Sequence, residues 1–116
     1  MGTMVKLIAL YKKPSDPEEF DKHFYAIHVP IVRAVPGLER LEITRITGAP
    51  FGEARFHLME ELIFDSQRSM DAAMSSAQGK NVARDVMGFA ADLVVLLQGV
   101  PGDAVPPPDD PYHSQP

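Results

Sequence analysis

The sequence predicts one α+β domain with the element order β-α-β-β-α-β. Three observations carry that prediction. Apolar, strand-like runs stand at residues 5–10, 38–47, 56–64 and 93–97. Helix-start signals at Asp16 and at Asp65-Ser66 are each followed by an apolar stripe at helical spacing. The 116 residues, 45% of them apolar, suffice to bury about two-thirds of the unfolded surface, which is one modest core and no second domain.

The first run, Val5 to Leu10, is closed by Lys12, Lys13 and Pro14 and reads as strand one. Asp16 then offers a cap, Pro17 suits the first helical position, and Glu19 completes a capping box. Phe20, His23, Phe24 and Ile27 follow at i, i+3, i+4 and i+7, the spacing of a buried stripe. Pro30 disfavours helical backbone at Val29, so the helix is expected to end close to His28, with a short helical turn over 31–35 before Pro36-Gly37. Leu38 to Thr47 is a half-exposed strand. Gly48-Ala49-Pro50-Phe51-Gly52 is turn chemistry, and Phe56 to Phe64 returns as the third strand. Alternation places Phe56, Leu58, Glu60, Leu62 and Phe64 on one face and His57, Met59, Glu61 and Ile63 on the other.

Asp65-Ser66 caps a helix with the stripe Met70, Ala73, Met74 and Ala77. Gly79 is expected to interrupt it before a further helical stretch over 81–87. Leu93 to Leu97 is continuously apolar and is expected to be covered on both faces. This order is the ferredoxin-like one, a four-stranded antiparallel sheet with its helices on one face. Large apolar groups on both faces of strand three then call for a partner over the open face. A homodimer whose two sheets close into a barrel meets that need.

The domain is expected to span 4–100. Met4 stands as a second methionine before strand one, so 1–3 reads as an added remnant. Six of the eleven prolines fall in 101–116, which reads as an extended or disordered tail. No secretory leader and no apolar run of bilayer length is present, so a cytoplasmic chain without a membrane partner is expected. The net charge of −5 argues against a nucleic-acid partner. The absence of cysteine excludes a thiol nucleophile and a disulfide scaffold. No phosphate loop, dinucleotide fingerprint, H-E-x-x-H or nucleophile elbow occurs, so no cofactor and no metal are expected.

Among candidate chemical groups, His28 weighs most. A helix C-terminus favours its charged ring and burial favours the neutral one, which together would poise it near neutrality for general acid–base work. The plainer reading is a histidine that only caps helix carbonyls. His23 lies on the buried stripe, either as a satisfied core group or facing a pocket. Five residues separate it from His28, which points the two in different directions on a regular helix. His57 shares a strand face with Glu61. A carboxylate on an apolar sheet face must be paired or protonated, so either Glu60 or Glu61 could be a tuned acid. Tyr11 and Tyr25 are hydroxyl donors or rim residues.

The run Glu19-Phe20, Phe24, His28-Val29-Pro30-Ile31 and Val35-Pro36-Gly37-Leu38 resembles the signature of the EthD family, named for ethyl tert-butyl ether degradation, in the dimeric α+β barrel superfamily. Glu61-Leu62-Ile63-Phe64-Asp65-Ser66 is similar to that family's third strand and following cap. The resemblance covers most of 4–100. It departs at His23-Phe24, where the family commonly carries Tyr-Trp. His28 matches the family's H-x-P histidine and Glu61 its third-strand glutamate. The resemblance implies a small, rather apolar organic ligand in a cleft between sheet and helices, and relatives that are cofactor-free isomerases, cyclases and monooxygenases. It leads to His28, Tyr25 and Glu61 as the expected catalytic set. His23, Phe24, Tyr11, His57 and Met59 are the expected substrate contacts. The alternatives are a non-catalytic ligand-binding or accessory protein of an oxidative degradation pathway, and a purely structural dimeric module.

Overall fold

A computed structural model describes residues 3–102; the proposed remnant's first two residues and the proline-rich segment from 103 onward lie outside the described residues. Strand β1 runs Val5–Lys12, two residues beyond the sequence expectation. Tyr11 is held on both sides, opposite Leu58 and Val94, and the Lys12 amide donates to the Leu93 carbonyl at 2.9 Å. Helix α1, Pro17–His23, starts as read: Asp16 accepts from the Glu19 amide at 3.1 Å, and Pro17 stands in the first turn.

The helix does not stop at His28. A π-helical turn, Phe24–His28, is closed by the Val29 amide bonding back to the Phe24 carbonyl, and helix α2 continues over Val29–Arg33. Pro30 thereby falls in the first turn of α2, directly after the π turn rather than at a helix end. The extra residue of the π turn also shifts the buried stripe. Phe20, Phe24 and His28 are buried, whereas Ile27, expected on that stripe, is 49% exposed. Val35, expected within a short helical turn, lies past the end of α2 and is buried. Gly37 then takes φ +80°, the left-handed backbone that a Pro-Gly turn assigns to glycine.

Strand β2 is Arg40–Arg45, trimmed at both ends to the length that pairs with β3, from Arg40 opposite Ile63 to Arg45 opposite Leu58. Strand β3, Phe56–Phe64, has the bounds read from the sequence. Strand β4 is Val94–Gly99, and the order β2-β3-β1-β4 is antiparallel throughout. Leu58, Glu60, Leu62 and Phe64 face the helices and are buried. The register puts Ile8, Leu10, Met59, Val95 and Leu97 on the opposite face. At the start of β3 Leu58 pairs with Tyr11 but Phe56 with Lys12, and this bulge re-aims His57. Its Nε2 sits 2.7 Å from Asp21 Oδ1 on α1, with the ring edge-on to Phe20. The expected common face of His57 and Glu61 is therefore corrected. Strand β4 is corrected too. It is an edge strand, not one covered on both faces, and Leu96 and Leu97 are 53% and 47% exposed.

Helices α3, Gln67–Ser75, and α4, Ala77–Phe89, are capped by Ser66 and Ser76, whose hydroxyls accept from the Ser69 and Gly79 amides at 3.0 Å. The break thus falls at Ser76, Ala77 belongs to α4, and Gly79 lies inside that helix. A Cβ at Gly79 would collide with the Ala73 carbonyl oxygen and stand 2.6 Å from Met74 Cα, so glycine permits the sharp α3–α4 junction. The core has two apolar clusters. One lies around Val5, Val32, Leu62, Phe64, Met70 and Val86, the other around Tyr11, Phe20, Phe24, Val29 and Leu58. No helix among the described residues is long and apolar enough to cross a membrane.

Candidate functional site

A polar chain runs through the core, assembled from β1, β3, α1, the π turn and α4. Glu60 enters it because β3 alternates, which places a carboxylate between Leu58 and Leu62 on the helix-facing side. Tyr11 on β1 donates its hydroxyl to Glu60 Oε1 at 2.8 Å. His28, brought inward by the π turn, places Nε2 3.1 Å from both Glu60 oxygens; only Oε1 has hydrogen-bonding geometry. Its Nδ1 lies 2.9 Å from Asp85 Oδ2 on α4. The other oxygen of Asp85 lies 2.9 Å from His23 Nε2. The order is Tyr11–Glu60–His28–Asp85–His23, from the sheet to the protein surface.

The electrostatics follow from the partners. Burial works against a charged His28 ring, but the hydrogen bond and charge of Glu60, then those of Asp85, outweigh it and raise its pKa. Each ring nitrogen faces a side-chain carboxyl oxygen, an arrangement that favours the imidazolium, which donates in both directions. Burial, followed by the charge and hydrogen bond of Glu60 and the charge of Asp85, pushes the Tyr11 hydroxyl well above its ordinary range. It stays a donor.

His28 has no exposed surface, so it touches no solvent-filled space. The expected cleft between sheet and helices is occupied instead by Tyr11, Phe24, His28 and Glu60, all buried. Two grooves open beside the polar chain. One, of about 630 Å³, runs from the α1 start toward Leu93. The other, of about 530 Å³, runs along α4 past Ile31, Arg84 and Asp85. His23, Gly88 and Phe89 border both. The His23 side chain is 30% exposed and packs on Phe89 with ring centroids 4.4 Å apart. The contact of Nε2 with Asp85 holds the His23 ring in one orientation, with Nδ1 turned away from that carboxylate.

Of the residues considered from the sequence, the structure joins His23, His28, Tyr11 and Glu60 in the polar chain, packs Phe24 against Tyr11 and His28, and separates Glu61, Tyr25, Met59 and His57 from them. Glu61 faces the open side of the sheet and pairs with Lys6 Nζ at 3.0 Å, away from His28. Tyr25 is 42% exposed and borders a shallow surface depression with Glu18, Asp21 and Lys22. Met59 lies on the open sheet face, Phe24 packs in the core against His28, and His57 is engaged by Asp21. Asp85 was not singled out by sequence reasoning. Its signal was a charged residue between Val82, Val86 and Phe89 at helical spacing, where an apolar group would be expected. No group of three or more His, Asp or Glu side chains among the described residues is arranged to hold a metal ion.

A βαββαβ protomer with one covered sheet face and a buried acid–histidine chain defines a ferredoxin-like α+β protein with a polar site on its helical side. The model of the EthD domain matches residues 12–92, and the chain belongs to the EthD family. It is 30% identical, over 81% of its length and 91% of the relative's, to an uncharacterized 11.0 kDa protein from the thcB–thcC intergenic region of Rhodococcus erythropolis. The crystal structure of an EthD family protein from Bacillus halodurans is 45% identical over 83% of this chain and 96% of that one, with a TM-score of 0.81. A hydroxynitrile lyase from Passiflora edulis, 14% identical over 91% and 100% of the two chains, shares the fold with a TM-score of 0.72.

Proposed function

We propose that the chain is a cofactor-independent enzyme that moves a proton on a small organic molecule, with His23 as the exchanging base. The observation that carries this reading is the His23–Asp85 contact of 2.9 Å on a ring that borders two grooves. Asp85 fixes the tautomer and stabilises the charge His23 gains, and His28 with Glu60 and Tyr11 holds Asp85 in place. In the forward step Nδ1 takes a proton from an acidic C–H bond, whose electron pair is left on the ligand as an enolate. The proton returns to the same or a neighbouring carbon. The catalytic role thus passes from His28, which the sequence favoured, to the accessible histidine, and His28 becomes a positioning residue. The Passiflora edulis hydroxynitrile lyase lends the reading support as an enzyme on the same fold.

A homodimer through the open sheet face is part of the same reading. It is supported by the outward set Ile8, Leu10, Met59, Val95 and Leu97, a contiguous apolar group on the face that no helix covers. A cytoplasmic, catabolic setting accompanies the reading as a proposal.

The test is solvent deuterium exchange. A panel of small C–H-acidic compounds is incubated with the protein in D₂O and followed by NMR. Exchange into one of them is expected, falling by about two to four orders of magnitude in His23→Asn. Exchange at the wild-type rate in His23→Asn overturns the assignment. Binding with no exchange in the wild type identifies a ligand-binding protein instead.

A further inference from the structure

Helix α4 presents Asn81, Arg84, Asp85 and Gly88 at i, i+3, i+4 and i+7, one stripe along the groove of about 530 Å³. Two members of that stripe have no use inside the fold. Arg84 donates from Nη1 to Asn81 Oδ1 at 2.9 Å, a neutral partner, and forms no ion pair among the described residues. The adjacent acid does not neutralise it, because both Asp85 oxygens face histidines. A guanidinium with its fork largely unspent, at the edge of a groove, is a ready partner for a carboxylate.

Gly88 is the second. Its backbone is not in the left-handed region, and a Cβ built on it meets nothing within 4 Å. Neither conformation nor packing requires glycine there, in contrast to Gly79. A glycine within a helix is less stable than alanine, so this residue gives up local stability and leaves space where the two grooves meet. Phe89 and Ile31 give the groove apolar walls.

We propose that this groove binds a small organic carboxylate, its anion on Arg84 and its apolar body over Gly88 against Phe89, beside His23. The assignment rests on the reading of His23 as the proton-exchanging group and adds the ligand class to it.

The test uses phenylacetate and its uncharged isostere phenylacetamide, titrated into the full-length protein and followed by NMR at the amides of 81–89 and the His23 ring. Phenylacetate is expected to bind about ten-fold or more tightly, the scale of a charge-assisted hydrogen bond. Arg84→Gln should erase that preference without changing phenylacetamide affinity. Gly88→Leu should block both probes while melting no lower than the wild type. Equal affinities, unchanged phenylacetate binding in Arg84→Gln, or unimpeded binding in Gly88→Leu would each overturn the proposal. The two readings fail separately. Proton exchange lost in His23→Asn without a carboxylate preference sinks only the ligand class. A preference abolished by Arg84→Gln, with exchange untouched in His23→Asn, sinks only the base.

Discussion

His23 and His28 hydrogen-bond the two oxygens of a single carboxylate, Asp85, each at 2.9 Å. On a regular α-helix five residues turn the chain through more than a full circle and leave the two side chains about 140° apart. The π turn at Phe24–His28 narrows that offset, because its i to i+5 bonding takes an extra residue into the turn and brings residue i+5 back toward the face of residue i. One widened turn therefore does two things. It carries the helix past Pro30, and it brings an exposed and a buried histidine to the same acid.

The buried histidine is expected to matter for stability as a cation. His28→Gln removes the charge between Glu60 and Asp85, and breaking a buried pair of this kind costs about 3–5 kcal/mol. The pH dependence has a definite sign. The folded ring holds its proton more tightly than an unfolded one, whose ordinary value is 6.5. Its contribution is therefore complete below that value and is lost as pH rises through the raised folded pKa. Urea denaturation at about pH 6 and about pH 9 should show the wild type weakening with alkalinity, and His28→Gln should flatten that limb. A variant as stable as the wild type at acid pH would show that the ring is not charged in the fold.

Tyr11→Phe tests the inner end of the chain. It deletes the hydroxyl 2.8 Å from Glu60 and leaves that carboxylate to His28 alone. A loss of about 1–3 kcal/mol is expected, the cost of an unmet buried acceptor. Because the folded Tyr11 pKa is raised, the hydroxyl's contribution is complete below its ordinary value of 10.0 and declines progressively as pH rises from there toward the raised folded value. Alkaline denaturation should start later in Tyr11→Phe than in the wild type, relative to each protein's neutral-pH stability. A coincident onset would count against the pairing.

The two adjacent glutamates make a sharper contrast. Glu60→Ala leaves the buried His28 Nε2–H and the Tyr11 hydroxyl without an acceptor, with Asp85 as the one remaining partner of the ring, and should cost about 3–5 kcal/mol. Glu61→Ala breaks a partly exposed pair with Lys6 and should cost no more than about 1 kcal/mol. Equal losses by thermal or chemical denaturation would mean that the register of β3 differs by one residue.

That contrast also marks how far the residues alone could be read. The bounds of β3 were legible because alternation is dense over Phe56–Phe64, and both helix starts were legible because Asp16 and Ser66 are capping residues in the right place. The end of the first helix was not. Proline stops an α-helix as a rule, and nothing local in Phe24–His28 announces a wider turn, so Ile27 was placed inside and His23 and His28 apart. Parity along β3 assigned Glu60 and Glu61 to opposite faces, but which face carries the histidine depends on where the π turn delivers it. Asp85 needed the same information, since its partners come from an element more than fifty residues earlier.

The proposed dimer gives the last expectation. Ile8, Leu10, Met59, Val95 and Leu97 share the uncovered face, and Leu97 alone is 47% exposed in the protomer. If a second copy covers this face, light scattering should give twice the chain mass at micromolar concentration. Leu97→Glu should then yield monomers, because it sets a further carboxylate beside Ile8 and Val95 on a face whose nearby cation, Lys6, is already paired with Glu61. The substitution sits on an edge strand at a solvent-facing position, so the protomer should keep its fold and its circular dichroism. The consequence reaches the site only indirectly. The groove residues Arg84, Asp85 and Gly88 lie on α4, on the other side of the sheet, and phenylacetate binding should survive in the monomer. A wild type that is monomeric at these concentrations would leave the apolar face open to water and remove the argument for the dimer, while the acid–histidine chain would be untouched.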